Sequence, residues 1–262
     1  MTLRIKNKFE DLKKQGRAGL ITFTMAYDPD LEKSLEIFKS LPESGADIIE
    51  IGMPFSDPSA DGVAIQEAGK RALKSGAKLA GVLGMVAEFR KGDNETPIII
   101  MGYYNPIQHY GCDKFLKDAK KSGVDGLIIV DLPLEEDKEF FALAESENIS
   151  LIKLITPTTN SERLEKILKR ASGFLYYVSV AGITGQKSAT TESVKKSIDM
   201  IKKHTDLPVA VGFGIKDAKS ASEMSKVADA IIVGSALVKC VEKNDDSVLS
   251  LVKALRDAIS VN

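Results

Sequence analysis

The sequence predicts an α/β fold, a (β/α)8 TIM barrel with an extra N-terminal helix and a short helix after the eighth strand. Three observations predict it. Short apolar runs alternate with amphipathic segments along the whole 262-residue chain. The runs are continuously apolar, as in parallel strands that are covered on both faces. One local plan also recurs. Gly45-Ala46-Asp47-Ile48-Ile49, Gly123-Val124-Asp125-Gly126-Leu127-Ile128 and Val227-Ala228-Asp229-Ala230-Ile231-Ile232 each place an Asp just before a strand. In the first two, a Gly closes the preceding helix. An open doubly wound sheet of about six strands is the alternative.

The elements follow in chain order. An amphipathic helix over 3–15 leads. Strands are expected at Leu20–Ala26, Ile48–Ile51, Ile98–Tyr103, Gly126–Val130, Leu151–Ile155, Phe174–Ser179, Val209–Phe213 and Ala230–Val233, where Ile, Val, Leu, Phe and Tyr cluster. Helical periodicity falls between them at 30–41, 64–90, 112–121, 135–146, 161–171, 190–203 and 216–226, and a last helix fits 246–259. Eight β-then-α units in a chain of this length point to the barrel. No linker rich in Pro, Ser or Gly divides the chain, so residues 1–262 are expected to form one barrel domain.

Composition narrows the function. The chain has 36 basic and 37 acidic residues and a formal net charge of −1, so it lacks the basic footprint of a nucleic-acid binder. No apolar run approaches the roughly 20 residues that span a bilayer, and the amphipathic N-terminus has no apolar core of signal-peptide type. Cys112 and Cys240 are isolated, which suits a reducing cytoplasm. His109 and His204 lie in polar surroundings far apart in sequence, so a metal site is not expected and both read as surface residues.

The chemistry is concentrated in Asp47–Gly62, DIIEIGMPFSDPSADG. Glu50 sits where an apolar strand ends, and a loop rich in Pro, Ser and Asp carries Asp61. Strand ends and the loops after them hold the reactive groups of α/β barrels. A carboxyl inside an apolar strand is desolvated, which raises its pKa towards the range useful for proton transfer. A Glu at the loop edge that simply reaches water is the alternative reading.

Two Gly-rich turns, Val211-Gly212-Phe213-Gly214-Ile215 and Val233-Gly234-Ser235-Ala236-Leu237, follow the seventh and eighth strands. The second opens a short apolar helix over Ala236–Val241. Glycine lets backbone approach a ligand, and N–H groups at a helix start attract an anion. Loops at these places form the recurring phosphate site of such barrels. Gly182-Ile183-Thr184-Gly185 could add a third wall. The polar loop from Ala181 to Thr191 reads either as a lid hinged at Gly182 and Gly185 or as a solvated loop.

At this point the residues carry a resemblance. IEIGMPFSDPSADG, GLIIVDLP, YYVSVAGITG, VGFGI and VGSALV resemble the tryptophan synthase alpha family, and the resemblance runs end to end. It implies retro-aldol cleavage of indole-3-glycerol phosphate to indole and glyceraldehyde 3-phosphate. Glu50 matches the proton-transferring carboxyl, Asp61 the carboxylate that stabilises charge at the indole nitrogen, and Tyr176 the supporting tyrosine. Phe23, Tyr103, Ile128, Thr184, Phe213 and Ile232 match the indole slot, although ordinary barrel core is the competing reading for the apolar ones. Gly185, Gly214, Gly234 and Ser235 match the phosphate grip. Val180 stands where some members carry a basic residue. The resemblance implies neither metal nor organic cofactor in this chain. It implies a beta-subunit partner that uses pyridoxal phosphate, in a hetero-tetramer of two alpha and two beta subunits. Pro54, Phe55, Asp57 and Asn105 fall in the regions that face that partner, and Asp57 before Pro58 is otherwise a turn former.

Two rival reactions fit the same scaffold. Lys153 lies inside the strand SLIKLIT, and a buried lysine with a lowered pKa would make a Schiff-base aldolase. A lysine reaching outward between helices is the alternative. A sugar-phosphate isomerase would lack the indole slot.

Overall fold

The computed structural model describes residues 2–178, 190–212, 214–243 and 247–259. Its strands are β1 (Gly19–Met25), β2 (Ile48–Gly52), β3 (Ile98–Gly102), β4 (Gly126–Ile129), β5 (Ser150–Leu151), β6 (Lys153–Ile155), β7 (Leu175–Val178), β8 (Val209–Gly212) and β9 (Ala230–Val233). They form one sheet in the order β5-β4-β3-β2-β1-β9-β8-β7-β6, and every pairing is parallel. The two ends of that order are one strand. Only Ile152 separates β5 from β6, and its N–H still donates to the Leu127 carbonyl at 3.0 Å. The sheet therefore closes on itself as a TIM barrel, with β1 joined to both β2 and β9.

The helices among the described residues are α1 (Leu3–Lys14), α2 (Leu31–Ser40), α3 (Val63–Lys74), α4 (Leu79–Phe89), α5 (Tyr104–Tyr110), α6 (Cys112–Ser122), α7 (Lys138–Ser146), α8 (Ser161–Leu168), α9 (Thr191–Ile201), α10 (Ala218–Ser225), α11 (Ser235–Glu242) and α12 (Ser247–Ala258). Two differ from the sequence expectation. The single helix over 64–90 is two, because Gly76 adopts φ +86 and turns the chain between α3 and α4. The short α5 had no sequence signal. Its Pro106 falls in the first turn, where a missing N–H costs nothing.

Two apolar layers hold the barrel. Ile49, Ile51, Ile100, Leu127, Val211 and Ile231 face outward and pack with helix residues such as Phe38, Phe89 and Phe115. Ile21, Ile48, Ile99, Ile128, Ile152, Phe174 and Ile232 fill the interior. There α1 contributes Ile5, Phe9 and Leu12, with the Phe9 ring 5.7 Å from that of Phe174. The extra N-terminal helix thus plugs the N-terminal end of the barrel.

The repeated Asp serves that same end. Asp47 accepts the Leu20 N–H at 2.9 Å, Asp125 that of Ile98 at 3.0 Å and Asp229 that of Val209 at 2.8 Å. Each also binds a cation: Arg17 at 2.7 Å, Arg90 at 2.8 Å with Arg4 at 3.0 Å, and Lys202 at 2.7 Å. Each Asp stitches its strand to the neighbour before it. Stability is built at one end, leaving the C-terminal strand ends and their loops for chemistry.

Candidate active site

Strand alternation decides where Glu50 points. Ile49 and Ile51 enter the outer layer, so Ile48 and Glu50 face the barrel interior. Glu50 pairs in register with Phe23 of β1 and Ile99 of β3. The residue is 0% exposed, and neither carboxyl oxygen has a hydrogen-bond partner among the described residues. Burial alone pushes its pKa up to about 8, because the charged form would lose water and gain nothing in return.

Tyr176 lies in β7, two residues after the buried Phe174, and its side chain joins the same interior. Burial first, and then the Glu50 charge, push its hydroxyl well above the usual value. Gly212 on the adjacent strand makes room for it. A Cβ at Gly212 would stand 2.6 Å from both the Tyr176 hydroxyl and a ring carbon. The first glycine of VGFG therefore makes room for the Tyr176 ring. Gly214, the second, is exposed at φ +50 with nothing among the described residues within 4 Å of a notional Cβ, as a backbone approach to a ligand requires.

Asp61 ends the loop after β2. It lines a small cavity with Phe23, Met25, Met53, Met101 and Tyr103. Burial raises its pKa to about 6, opposed by a hydrogen bond from the Tyr103 hydroxyl. Tyr103 is pushed up to about 12 by burial and by Asp61. Its oxygen accepts the Ala60 N–H at 2.9 Å, and its ring lies 5.2 Å from that of Phe55. One tyrosine thus ties the loop to the barrel rim.

The other expected residues divide clearly. Phe23 and Tyr103 share the Asp61 cavity. Ile128 and Ile232 are buried in the interior layer below the rim. Gly214 follows β8, and Gly234 and Ser235 follow β9 at the same end of the barrel. Gly234 is the N-cap of α11 and supplies no capping side chain, so the cap itself does not serve the first-turn N–H groups. Thr184, Gly185, Phe213, Val180 and the hinge Gly182 lie outside the described residues. Pro54 and Phe55 are half-buried, whereas Asp57 and Asn105 are exposed. His109 and His204 are exposed. Among the described residues no group of three or more His, Cys, Asp or Glu could hold a metal. Sequence reasoning missed Met25, Met53 and Met101, since an apolar lining residue carries no mark that separates it from core.

Lys153 faces away from this site. Its neighbours Ile152 and Leu154 are the residues that join the interior. Its ammonium pairs with the fully buried Asp137, which also binds Arg170.

The family profile described as "Tryptophan synthase alpha chain" matches residues 9–260. The chain belongs to the tryptophan synthase alpha family. A tryptophan synthase alpha subunit from Legionella pneumophila str. Paris is 39% identical, covers 99% of both chains and superposes with a TM-score of 0.92. A second Legionella pneumophila alpha-chain structure is 38% identical over 99% of this chain and 98% of that one, at a TM-score of 0.89. Tryptophan synthase from M. tuberculosis, in an aminoacrylate- and BRD0059-bound form, is 30% identical over all of both chains at a TM-score of 0.91. As a tryptophan synthase alpha subunit, the chain is a lyase of tryptophan biosynthesis that cleaves indole-3-glycerol phosphate to indole and glyceraldehyde 3-phosphate. The Schiff-base reading is not favoured, in keeping with the ion-paired Lys153. The family pairs with a beta subunit, to which the pyridoxal phosphate belongs. No helix among the described residues is long and apolar enough to cross a membrane.

Proposed function

We propose that Glu50 moves both protons of the cleavage while Asp61 holds the charge that develops between the two transfers. The carrying observation is a pair of carboxyls on opposite sides of neutrality, Glu50 at about 8 and Asp61 at about 6. Near pH 7 Glu50 is an acid and Asp61 an anion, a division of labour set by environment. Glu50 gives its proton to indole C3, leaving a cationic ring nitrogen for the Asp61 carboxylate to stabilise. The Glu50 carboxylate then takes the proton of the adjacent glycerol hydroxyl. The carbon–carbon bond breaks, its electrons return to the ring, and indole and the aldehyde leave with Glu50 reprotonated. Tyr176 supports Glu50, and Phe23, Tyr103, Ile128, Thr184, Phe213 and Ile232 form the indole slot.

The same reading gives the phosphate to backbone groups of Gly185, Gly214, Gly234 and Ser235. Gly234→Asp sets a carboxylate against that anion. A Cβ there meets Phe23 only at an ordinary 3.4 Å, so the fold is expected to persist. The expected result is a large rise in KM with little change in melting temperature. Glycerol phosphate should raise the melting temperature of the wild type and not of the variant; equal protection of both would remove the assignment.

The chain carries no organic cofactor in this reading, forms one barrel domain, works in the cytoplasm and passes indole to the beta subunit of a hetero-tetramer. Pro54, Phe55, Asp57 and Asn105 are its partner-facing residues. The Asp57 carboxylate is exposed and bonded to the neighbouring Ser56 hydroxyl, while the turn is closed by backbone, Ser59 N–H to the Asp57 carbonyl at 2.9 Å. That leaves its charge available to a partner. Asp57→Ala is expected to keep the activity of the isolated chain and to weaken its stimulation by added beta subunit. Equal stimulation of both proteins would return Asp57 to a turn role. Indole release from indole-3-glycerol phosphate, with and without beta subunit, tests the whole reading.

A further inference from the structure

A buried ionic group lies where the chain leaves β1. Asp28, just after β1, is 2% exposed. Arg71 in the last turn of α3 grips it with both arms of the guanidinium, Nε to Oδ1 at 2.7 Å and Nη2 to Oδ2 at 2.9 Å. Burial raises the Asp28 pKa, and the Arg71 hydrogen bonds oppose that rise. The remaining guanidinium nitrogen, Nη1, donates to Glu242 in the last turn of α11 at 3.3 Å. This one residue therefore touches three elements that border the site: the exit of β1, helix α3 and helix α11.

The helix between Arg71 and the chemistry is short and well seated. It begins at Val63, two residues after Asp61. Its Ala68 and Ala72 pack with Phe23 and Met25 of β1 and with Val238 of α11. Gln66, in its second turn, donates from Nε2 to the Asp61 carbonyl at 2.9 Å and to that of Pro58 at 3.5 Å. Arg71 anchors the far end of α3 to β1, and Gln66 holds the Asp61 backbone from the near end. The distance along the helix is about 8 Å at 1.5 Å per residue, short enough for a helix to carry a displacement without bending.

We infer that Arg71 and Gln66 are positioning residues that act through α3 to set the place of the Asp61 carboxylate against β1. The inference rests on the catalytic role given to Asp61 above. A planar fork on a buried carboxylate fixes direction as well as distance, which a lysine cannot do. A shift of about 1 Å at a reacting group can cost about 100-fold in rate, so small losses of seating at α3 matter.

The test is a double-mutant cycle on single-turnover indole release, with kcat and KM from the steady state. Gln66→Ala keeps a good helix former and Arg71→Lys keeps the charge. Each is expected to lower kcat about 10-fold with KM for indole-3-glycerol phosphate changed less than about 3-fold. In an Asp61→Asn background neither is expected to cause a further loss, because the group they position is gone. If the losses multiply instead, both residues serve only the fold and the inference is overturned. Unchanged kcat in both single variants overturns it as well. Should Arg71→Lys not fold, Asp28→Asn keeps the acceptor and is put through the same cycle. Near-normal turnover by Asp61→Asn itself would sink the role of Asp61, a different failure that the same data separate.

Discussion

Glu50→Gln is expected to lower indole release at least about 10²-fold while the barrel stays folded. The substitution keeps the size of the side chain and removes the only proton it can exchange. The pH profile should identify the loss. In the wild type, kcat/KM is expected to rise as pH passes about 6, where Asp61 becomes an anion, and to fall as pH passes about 8, where Glu50 loses its proton. The sign follows from the roles, since the base-form group sets the acid limb and the acid-form group the alkaline limb. Residual activity of Glu50→Gln should lack the alkaline limb. Near-normal turnover, or an alkaline limb that survives the substitution, would remove the proposed mechanism.

Asp61→Asn should cost about 10² to 10³-fold in kcat, the range seen when one charge-stabilising group is removed from a preorganised site. An amide still hydrogen-bonds to the Tyr103 hydroxyl but offers no charge to the ring nitrogen. Two accompanying signs separate this from general damage. The acid limb near pH 6 should vanish from the profile. The Tyr103 hydroxyl, now raised in part by the Asp61 charge, should titrate lower in a spectrophotometric titration. An Asp61→Asn enzyme with an intact acid limb would show that another group sets it.

The parallel barrel was legible in the sequence because parallel strands must be apolar on both faces, which leaves eight unmistakable runs. The strand end that bears Glu50 was legible for a related reason: a carboxyl set between Ile48, Ile49 and Ile51 interrupts an apolar run. What sequence could not supply was the partner list. That both Glu50 oxygens are unbonded among the described residues depends on side chains brought in by other strands of the barrel. The Asp28–Arg71 grip joins residues 43 apart, and neither end looks unusual alone. The purpose of Gly212 was not legible, because nothing local says that a ring on β7 will occupy its missing Cβ. The break between α3 and α4 was missed because the apolar period continues across Gly76, while the backbone there does not.

On the role proposed for it, the Glu50 carboxyl, unbonded among the described residues, also sets selection for activity against selection for durability. Unfolded, the group ionises near 4.5; folded, it keeps its proton up to about 8. Between those values the folded chain holds a proton that the unfolded chain releases, so stability falls as pH rises. At about 1.4 kcal/mol per pH unit, the shift from 4.5 to about 8 amounts to roughly 5 kcal/mol by the alkaline end. A chain with Met at this position would escape that loss. Libraries of this enzyme sorted for heat resistance in mildly alkaline buffer would thus accumulate sturdy barrels, silent on the proposed mechanism, with Glu50 among the first residues discarded.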